Sequence, residues 1–229
     1  MNLEKNHDST QVHILSAEEN LTFFKESLNE EDIINVMSDL KHRIFPRPFE
    51  RLSTLRTYKD LVGAEIGVAG GEHALSLLKT LSIKKLYLID PYDMYETYTE
   101  GKQHYGADNS RLNTFRVSAE EKLSGYSDRI EWVREMSSDA ASRITEELDF
   151  VYIDGNHTED FVRQDINKFL PKLSSRGVIG GHDFYNGFQR EHDGVVNAVL
   201  SSVGLKDYQM RVETPDWWVE INDKKINSY

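Results

Sequence analysis

Two stretches of the sequence place an acid and a histidine at the end of an apolar run. They are DFVYIDGNH at 149–157 and GVIGGHD at 177–183. A buried parallel strand delivers polar side chains in this way to the carboxyl edge of an open α/β sheet, which is where such sheets bind ligands. Carboxylates can hold a divalent cation, and imidazoles can accept a proton near neutral pH. The two stretches therefore predict a binding site with acid–base chemistry at one edge of a sheet.

A glycine-rich turn precedes both stretches. Residues 65–71, EIGVAGG, leave an apolar run and enter a helical pattern, and their glycines let the backbone turn tightly and approach a ligand. Taken alone, such a turn is also consistent with an ordinary connection between a strand and a helix. Asp90 ends the next apolar run, about twenty residues further on, where an acid can accept both hydrogen bonds from a ribose diol. Together the two features predict a cofactor that contains a ribose.

Ala69 distinguishes between the two cofactors that fit this spacing. A nicotinamide dinucleotide requires close backbone approach to a pyrophosphate, which favours a glycine where Ala69 stands. S-adenosylmethionine has no phosphate and tolerates a side chain there. Its free amino acid end requires polar groups beside the turn instead, and Glu65 is a candidate. The turn therefore favours S-adenosylmethionine.

The elements that would position these residues follow from the alternation of short apolar runs with amphipathic stretches from Ala64 onwards. This alternation is typical of repeated βαβ units and a parallel sheet. The predicted strands are 64–69, 86–89, 130–133, 150–153 and 178–180, and the predicted helices include 74–81 and 158–170. Two further runs, 208–213 and 217–221, alternate around a Thr-Pro-Asp turn and predict a closing antiparallel β-hairpin. The predicted fold class is α/β, doubly wound.

The first part of the chain predicts helices that precede the sheet. Residues 16–19, SAEE, match a capping box, and a later helical pattern ends at the prolines of positions 46 and 48. We assign 1–56 to an N-terminal helical cap and 57–229 to the main domain. The cap could cover the site of its own chain or that of a neighbour, as part of a homo-oligomer. A separate partner-binding module is the alternative.

Composition restricts the class of protein. The chain has 229 residues, which is enough for one sizeable α/β core, and it has no cysteine, which excludes disulfides and thiolate chemistry. The net charge of -12 argues against a broad surface for nucleic acid. The sequence has neither an apolar run of membrane-spanning length nor the order of a signal peptide. We therefore expect a cytoplasmic protein that acts on a small molecule or glycan, without nucleic acid or membrane.

The glycine-rich turn and the acid that follows it resemble motifs of the class I S-adenosylmethionine-dependent methyltransferases. Glu65, Gly67 and Gly71 match the first motif of that family, with Ala69 as the departure, and Asp90 matches the acid of its second strand. The resemblance implies a Rossmann-like, mostly parallel seven-stranded sheet that ends in the antiparallel hairpin. It also implies that S-adenosylmethionine is the cofactor.

The later motifs resemble one branch of that family in particular, the macrocin-type sugar O-methyltransferases. They are the Asp-Gly-Asn-His run at 154–157, the Leu-Pro-Lys-Leu run at 170–173 and the His-Asp pair at 182–183. The resemblance extends over about residues 65–200. It implies methyl transfer to a hydroxyl of a sugar or of a glycosylated small molecule.

The predicted cofactor site combines the glycine-rich turn with the ends of several strands. Tyr92 belongs to an aromatic segment that could stack on the cofactor or the acceptor, or pack beneath the N-terminal helices instead. The resemblance implies that Ser137 flanks the adenine. The complete set of predicted cofactor residues is Glu65, Gly67, Val68, Ala69, Gly71, Asp90, Tyr92, Ser137 and Asp154.

The predicted metal and proton-transfer residues also follow from the resemblance. In related O-methyltransferases, carboxylates after the fourth and fifth strands hold a divalent ion, usually Mg²⁺, and Asp154 and Asp183 occupy the matching positions. His157 or His182 is predicted to take the proton of the acceptor hydroxyl. Alternatively, His157 caps the helix that follows it or contacts the cofactor carboxylate. His182 could instead ligate a softer ion or orient Asp183, and the two acids could anchor loops through backbone amides.

The sequence therefore predicts a metal-assisted, S-adenosylmethionine-dependent O-methyltransferase. One alternative is a nucleotide-dependent oxidoreductase or epimerase, but no Tyr-x-x-x-Lys pair follows the fourth predicted strand. The other alternative is a non-catalytic ligand-binding protein of the same fold, against which the clustered acids and histidines argue.

Overall fold

The computed structural model describes residues 44–95, 108–185, 193–204 and 208–224. The chain divides into two compact units, 1–44 and 45–229. The second unit begins before the predicted boundary at residue 56, because Phe49 and Leu55 are buried in its core. The predicted N-terminal helices and most of the aromatic segment after Pro91 lie outside the described residues.

A seven-stranded sheet forms the centre of the second unit. Its strands are β1 (Leu61–Ile66), β2 (Ile83–Ile89), β3 (Ile130–Val133), β4 (Leu148–Ile153), β5 (Leu173–Gly181), β6 (Tyr208–Glu213) and β7 (Asp216–Lys224). The strand order is β3-β2-β1-β4-β5-β7-β6. The first five strands pair in parallel, and β7 runs antiparallel to both β5 and β6. This topology confirms the predicted doubly wound α/β class and its antiparallel hairpin.

Helices connect the parallel strands and cover both faces of the sheet. The described α-helices are α1 (Ser53–Thr57), α2 (Glu72–Thr80), α3 (Asn109–Leu123), α4 (Ser137–Arg143), α5 (Glu159–Phe169) and α6 (Asp193–Val199). The sequence pattern does not predict α3, because its buried positions, Leu112, Ala119 and Leu123, are too sparse to mark a continuous apolar stripe. None of the helices in the described ranges is long and apolar enough to cross a membrane.

The strands are buried on both sides, which fixes the positions of their carboxyl ends. Ile66, Ile89 and Val151 pack into the cluster on one face, whereas Leu88 and Phe150 pack into the cluster on the other. A strand covered on both faces reads as a continuous apolar run rather than an alternating one. The polar residues just after β1, β2, β4 and β5 therefore extend from a closely packed scaffold.

The turn after β1 approaches the end of β4 closely enough to require glycine. Gly67 has a φ of 83°, and a Cβ atom built there would lie 2.1 Å from the carbonyl oxygen of Asp154. No side chain fits in that space. The glycine-rich turn and Asp154 are thereby held against one another at the same edge of the sheet.

Candidate active site

A cleft opens at the carboxyl ends of β1, β2 and β4. Six of the predicted cofactor residues line it, namely Gly67, Ala69, Asp90, Tyr92, Ser137 and Asp154. Glu65 and Val68 are buried behind the cleft wall, and Gly71 forms the N-cap of α2. The structure therefore brings most of the predicted set to a single cavity and puts the remaining three residues beneath it.

Asp90 connects the glycine-rich turn to the end of β2 through hydrogen bonds. Its Oδ2 accepts hydrogen bonds from the backbone amides of Val68 at 3.0 Å and Ala69 at 3.1 Å, and its Oδ1 accepts from the amide of Tyr92 at 2.9 Å. Burial raises the pKa of Asp90, although these three amides favour the ionised form. Since a carboxylate accepts about four hydrogen bonds, about one position remains for a ribose hydroxyl.

The backbone is strained at both the cleft and the neighbouring strand end. Ala69, Tyr92 and Asp183 have φ values of 44°, 48° and 59°, in the left-handed region that non-glycine residues rarely adopt. The Tyr92 hydroxyl donates to the carbonyl oxygen of Ala69 at 2.9 Å and holds two of these residues together. Such strain costs on the order of 1–3 kcal/mol per residue and concentrates at functional sites.

The four predicted metal and proton-transfer residues lie next to one another at the ends of β4 and β5. We refer to Asp154, His157, His182 and Asp183 as the acid–histidine cluster. His157 Nε2 lies 2.8 Å from Asp183 Oδ2 and 3.8 Å from Asp154 Oδ1, and His182 Nδ1 lies 3.2 Å from Asp183 Oδ1. One ligand atom from each of Asp154, His182 and Asp183 falls within 4.8 Å of the other two.

The members of the cluster differ in how far solvent reaches them. The side chains of Asp154 and His157 are 22% and 13% exposed, whereas those of His182 and Asp183 are 1% and 4% exposed. Asp154 also lines the cleft. A molecule in the cleft and a molecule bound at the cluster would therefore meet at Asp154.

Both acids of the cluster are held in their ionised form. Burial alone would raise the pKa of Asp154, but His182, His157 and Arg47 outweigh it and lower that pKa. Burial likewise disfavours ionised Asp183, yet its contacts with His157 and His182 lower its pKa well below the usual range. The contacts with the two imidazoles, together with the Arg47 guanidinium at Asp154, are the physical cause.

Arg47 is a member of the site that the sequence analysis missed. Its Nη1 donates to Asp154 Oδ2 at 3.0 Å and to the Tyr152 hydroxyl at 2.8 Å. That hydroxyl in turn donates to Asp216 Oδ1 at 2.7 Å. Burial acts against the guanidinium charge, but Tyr152, Asp154 and Asp216 outweigh it and raise the pKa of Arg47. In the sequence, the prolines on either side of Arg47 predicted only the end of a helix. The basic residue between them was the one signal that could have drawn attention to Arg47.

Glu65 belongs to a second group of buried titratable side chains, which lies beneath the cleft. Glu65 Oε1 lies 2.9 Å from His73 Nδ1, and Glu50 Oε1 lies 3.2 Å from His73 Nε2. Burial raises the pKa of Glu65 and raises that of Glu50 to about 7, and it lowers the pKa of His73. Glu65 thus supports the strand below the turn rather than lining the cleft.

Ser137 contacts a second acid that the sequence analysis did not single out. Its hydroxyl donates to Oδ1 of Asp165, which comes from the middle of α5 and also lines the cleft. Burial raises the pKa of Asp165 to about 7, although Ser137 and Lys168 favour the ionised form. An acid inside an amphipathic helical pattern carries no sequence signal that separates it from a solvated one.

The alternative role for His157 as a helix cap receives no support from the local geometry. Thr158 is the N-cap residue of α5, and its backbone amide donates to Asn156 Oδ1 at 2.9 Å. The side chain of Asn156 therefore orders the loop before the helix. His157 is left to contact the acids of the cluster.

A family model matches the sequence, and solved structures share the fold. A family model described as a methyltransferase domain matches residues 64–184, which is more than half of the chain. The sequence matches no curated protein.

Three solved structures illustrate the fold. CalS11, described as a calicheamicin methyltransferase, aligns with a TM-score of 0.56 and 11% identity over 93% of this chain and 88% of that one. Cofactor-bound Rv0187 from MTB aligns with a TM-score of 0.57 and 13% identity over 93% and 100% of the two chains. A putative caffeoyl-CoA O-methyltransferase from Staphylococcus aureus aligns with a TM-score of 0.52 and 12% identity over 89% and 97%.

Proposed function

Since this chain belongs to the methyltransferase domain family, we propose that it transfers the methyl group of S-adenosylmethionine to a hydroxyl of a sugar or glycosylated small molecule. The observation that carries the proposal is the position of Asp154, which belongs to both the cofactor cleft and the acid–histidine cluster. A methyl donor in the cleft and a hydroxyl at the cluster would be neighbours. The sugar-type acceptor rests on the motifs at 154–157 and 182–183.

The order of the strands supports one orientation of the cofactor. The glycine-rich turn follows β1, Asp90 follows β2, and Ser137 follows β3, in the spatial order β1-β2-β3. If Asp90 binds the ribose, the amino acid end lies towards Gly67 and Asp154, and the base lies towards Ser137. The reacting methyl group is then at the side of the cleft nearest the cluster.

The chemistry requires positioning of the acceptor and removal of its proton. S-adenosylmethionine supplies an activated methyl group, so the protein need not generate an electrophile. We assign proton removal to His157, because its side chain is more exposed than that of the almost fully buried His182. Asp183, 2.8 Å from His157, orients the imidazole and stabilises it once it is protonated. His182 holds Asp183 from the other side.

The cluster also fits a divalent cation. Two carboxylates that are held ionised and one imidazole can each direct one ligand atom to a common point. The carboxylates suit Mg²⁺ or Mn²⁺, and the imidazole also admits a softer divalent ion. Asp154, His182 and Asp183 would hold the ion. Such an ion would lower the pKa of a hydroxyl that binds to it. Arg47 already offsets part of the negative charge of Asp154, so the two acids can lie side by side in the absence of an ion.

Binding experiments on the full-length protein test the cofactor assignment. A ligand at a hundred times its dissociation constant stabilises a protein by about 2.7 kcal/mol. S-adenosylhomocysteine is expected to raise the melting temperature, and NAD is expected to leave it unchanged. A response to NAD alone would contradict the assignment.

Turnover experiments test the reaction. The protein is incubated with S-adenosylmethionine and a panel of nucleotide sugars and glycosides, and release of S-adenosylhomocysteine is measured with Mg²⁺ or with EDTA. We expect turnover with a hydroxyl acceptor, a loss with EDTA and a loss in Asp183→Asn. Asp160→Asn, at an exposed position of α5, is the matched control and should remain active. Full activity of Asp183→Asn in EDTA would remove the metal from the mechanism.

A further inference from the structure

The wall of the cleft contains a buried acid that the methyl-transfer chemistry does not use. Asp165 is 2% exposed and lines the cleft together with the apolar side chains of Leu112, Met136 and Phe161. It lies on α5, whereas the residues of the acid–histidine cluster follow the ends of β4 and β5. A carboxylate in apolar surroundings is costly unless a donor reaches it.

The two oxygens of Asp165 differ in their partners. Oδ1 accepts a hydrogen bond from the Ser137 hydroxyl, and no other donor reaches Asp165 from the parts of the chain that the structure describes. Lys168, one helical turn away, donates instead to the carbonyl oxygen of Ser138 at 3.3 Å. Oδ2 therefore retains its capacity to accept, at a position on the cleft wall.

The strand order indicates which part of the cofactor faces this oxygen. Asp90 and Ser137 follow the adjacent strands β2 and β3, so a nucleoside with its ribose at Asp90 extends its base towards Ser137 and Asp165. The edge of adenine carries a 6-amino group, which only donates hydrogen bonds. An ionised carboxylate only accepts them, so the two groups are complementary.

We propose that Asp165 recognises the 6-amino group of the adenine ring and thereby determines which base the cleft accepts. The inference rests on the proposed cofactor and deepens it. Ser137 acts in this arrangement as a positioning residue, because its hydroxyl fixes Oδ1 and leaves Oδ2 for the ligand. Asp139, the next acid after Ser137 in the chain, is exposed and does not line the cleft.

Asp165→Asn tests the proposal with little change of shape. The amide oxygen can still accept the hydrogen bond from Ser137, and the amide nitrogen then replaces Oδ2 on the cleft wall. That nitrogen is a donor and opposes the 6-amino group of adenine. It would instead donate to the 6-carbonyl oxygen of hypoxanthine. The substitution should therefore shift preference from adenine towards hypoxanthine, an effect that a structural role alone would not produce.

The experiment measures dissociation constants of S-adenosylhomocysteine and S-inosylhomocysteine by calorimetry. The wild type should prefer the adenine ligand by at least about tenfold. Asp165→Asn should lose that preference or reverse it, and Asp165→Ala should lose it without reversal. Asp160→Asn, the exposed control on the same helix, should match the wild type. Melting temperatures without ligand show whether each variant is folded.

Each result separates this inference from the proposed function. If the wild type binds neither ligand, the cofactor assignment fails and the inference fails with it. If the wild type binds S-adenosylhomocysteine and the Asp165 variants keep its preference for adenine, the inference alone is wrong. Equal weakening of both ligands in Asp165→Asn would likewise reduce Asp165 to a structural role and overturn the inference.

Discussion

The acid–histidine cluster contains a buried acid, Asp183, and so does the opposite wall of the cleft, where Asp165 contacts Ser137. We refer to this part of the cleft, around Ser137 and Asp165, as the far wall. The pKa values of the two acids shift in opposite directions. At the cluster, the two imidazoles lower the pKa of Asp154 and that of Asp183, and Arg47 also lowers that of Asp154. At the far wall, Asp165 has one hydroxyl donor and its pKa rises to about 7. Burial disfavours a charged carboxylate at both places, so the difference comes from the direct contacts with the imidazoles and Arg47 at the cluster.

Because their acids differ in protonation, the two regions are suited to different kinds of ligand. Acids that are already ionised can hold a cation or orient an imidazole before any ligand arrives. An acid whose cationic neighbour, Lys168, hydrogen-bonds elsewhere remains largely uncharged until a ligand supplies a donor, which makes it selective for that donor. The cluster is therefore suited to chemistry, and the far wall is suited to recognition.

The largest expected effect comes from removing a charge at the cluster. Asp183→Asn should lower kcat/KM for methyl transfer by about a thousandfold, because His157 loses both its orienting partner and the charge that stabilises its protonated form. Steady-state kinetics with an acceptor from the panel measure this. A variant with wild-type kcat/KM would show that the ionised acid has no part in the reaction.

Removing the cation that compensates the cluster should have the next largest effect. Arg47→Met leaves Asp154 without its 3.0 Å partner, and the free energy of unfolding should fall by about 3 kcal/mol. Urea denaturation at neutral pH measures it. Arg51→Met is the matched control, because Arg51 forms an exposed ion pair with Glu213 that should contribute less than about 1 kcal/mol. Equal losses of unfolding free energy in the two variants would contradict the claim that Arg47 compensates the buried charge of Asp154.

At the far wall the same kind of substitution should stabilise the protein. The pKa of Asp165 rises from 3.8 to about 7 on folding, so the folded state binds the proton more tightly, and stability falls as pH rises between those values. Asp165→Asn avoids this loss and should be more stable than the wild type above pH 7, by roughly 2 kcal/mol.

The pH dependence of unfolding checks this sign. The stability difference between Asp165→Asn and the wild type should disappear below about pH 3, where the acid is protonated in both states. Asp183→Asn is the comparison, because the pKa of Asp183 is lowered and its ionised form stabilises the fold at neutral pH. If both variants change stability in the same direction at neutral pH, the contrast between the two regions is wrong.

The smallest effect concerns the backbone between the two regions. Ala69 adopts a φ of 44°, which glycine reaches at little cost, so Ala69→Gly should raise the free energy of unfolding by up to about 1 kcal/mol. Thermal denaturation measures it. A clear loss of stability would mean that the methyl group of Ala69 contributes packing that exceeds the relieved strain.

The sequence predicted the parts of the site that lie just after strands. Asp154 and Asp183 end apolar runs, and β4 and β5 are neighbours in the sheet, so their proximity follows from topology. Glu65 was less predictable, because β1 is buried on both faces and the pattern does not say towards which side a polar residue points.

The contacts of Arg47 and Asp165 could not be predicted because they arise from packing. Arg47 lies 107 positions before Asp154 in the chain, in a segment that reads locally as a helix end. Asp165 belongs to a helix whose other acids face solvent, and it meets Ser137 only because α4 and α5 pack together. A single sequence contains no local signal for either pairing.

The division between the two regions is tested most directly by titrating S-adenosylhomocysteine into the wild type, Asp183→Asn and Asp165→Asn under the same conditions. We predict that Asp183→Asn binds it within about threefold of the wild type, whereas Asp165→Asn binds it at least about tenfold more weakly. Comparable losses in both variants, or a loss confined to Asp183→Asn, would contradict the assignment of chemistry to the cluster and recognition to the far wall.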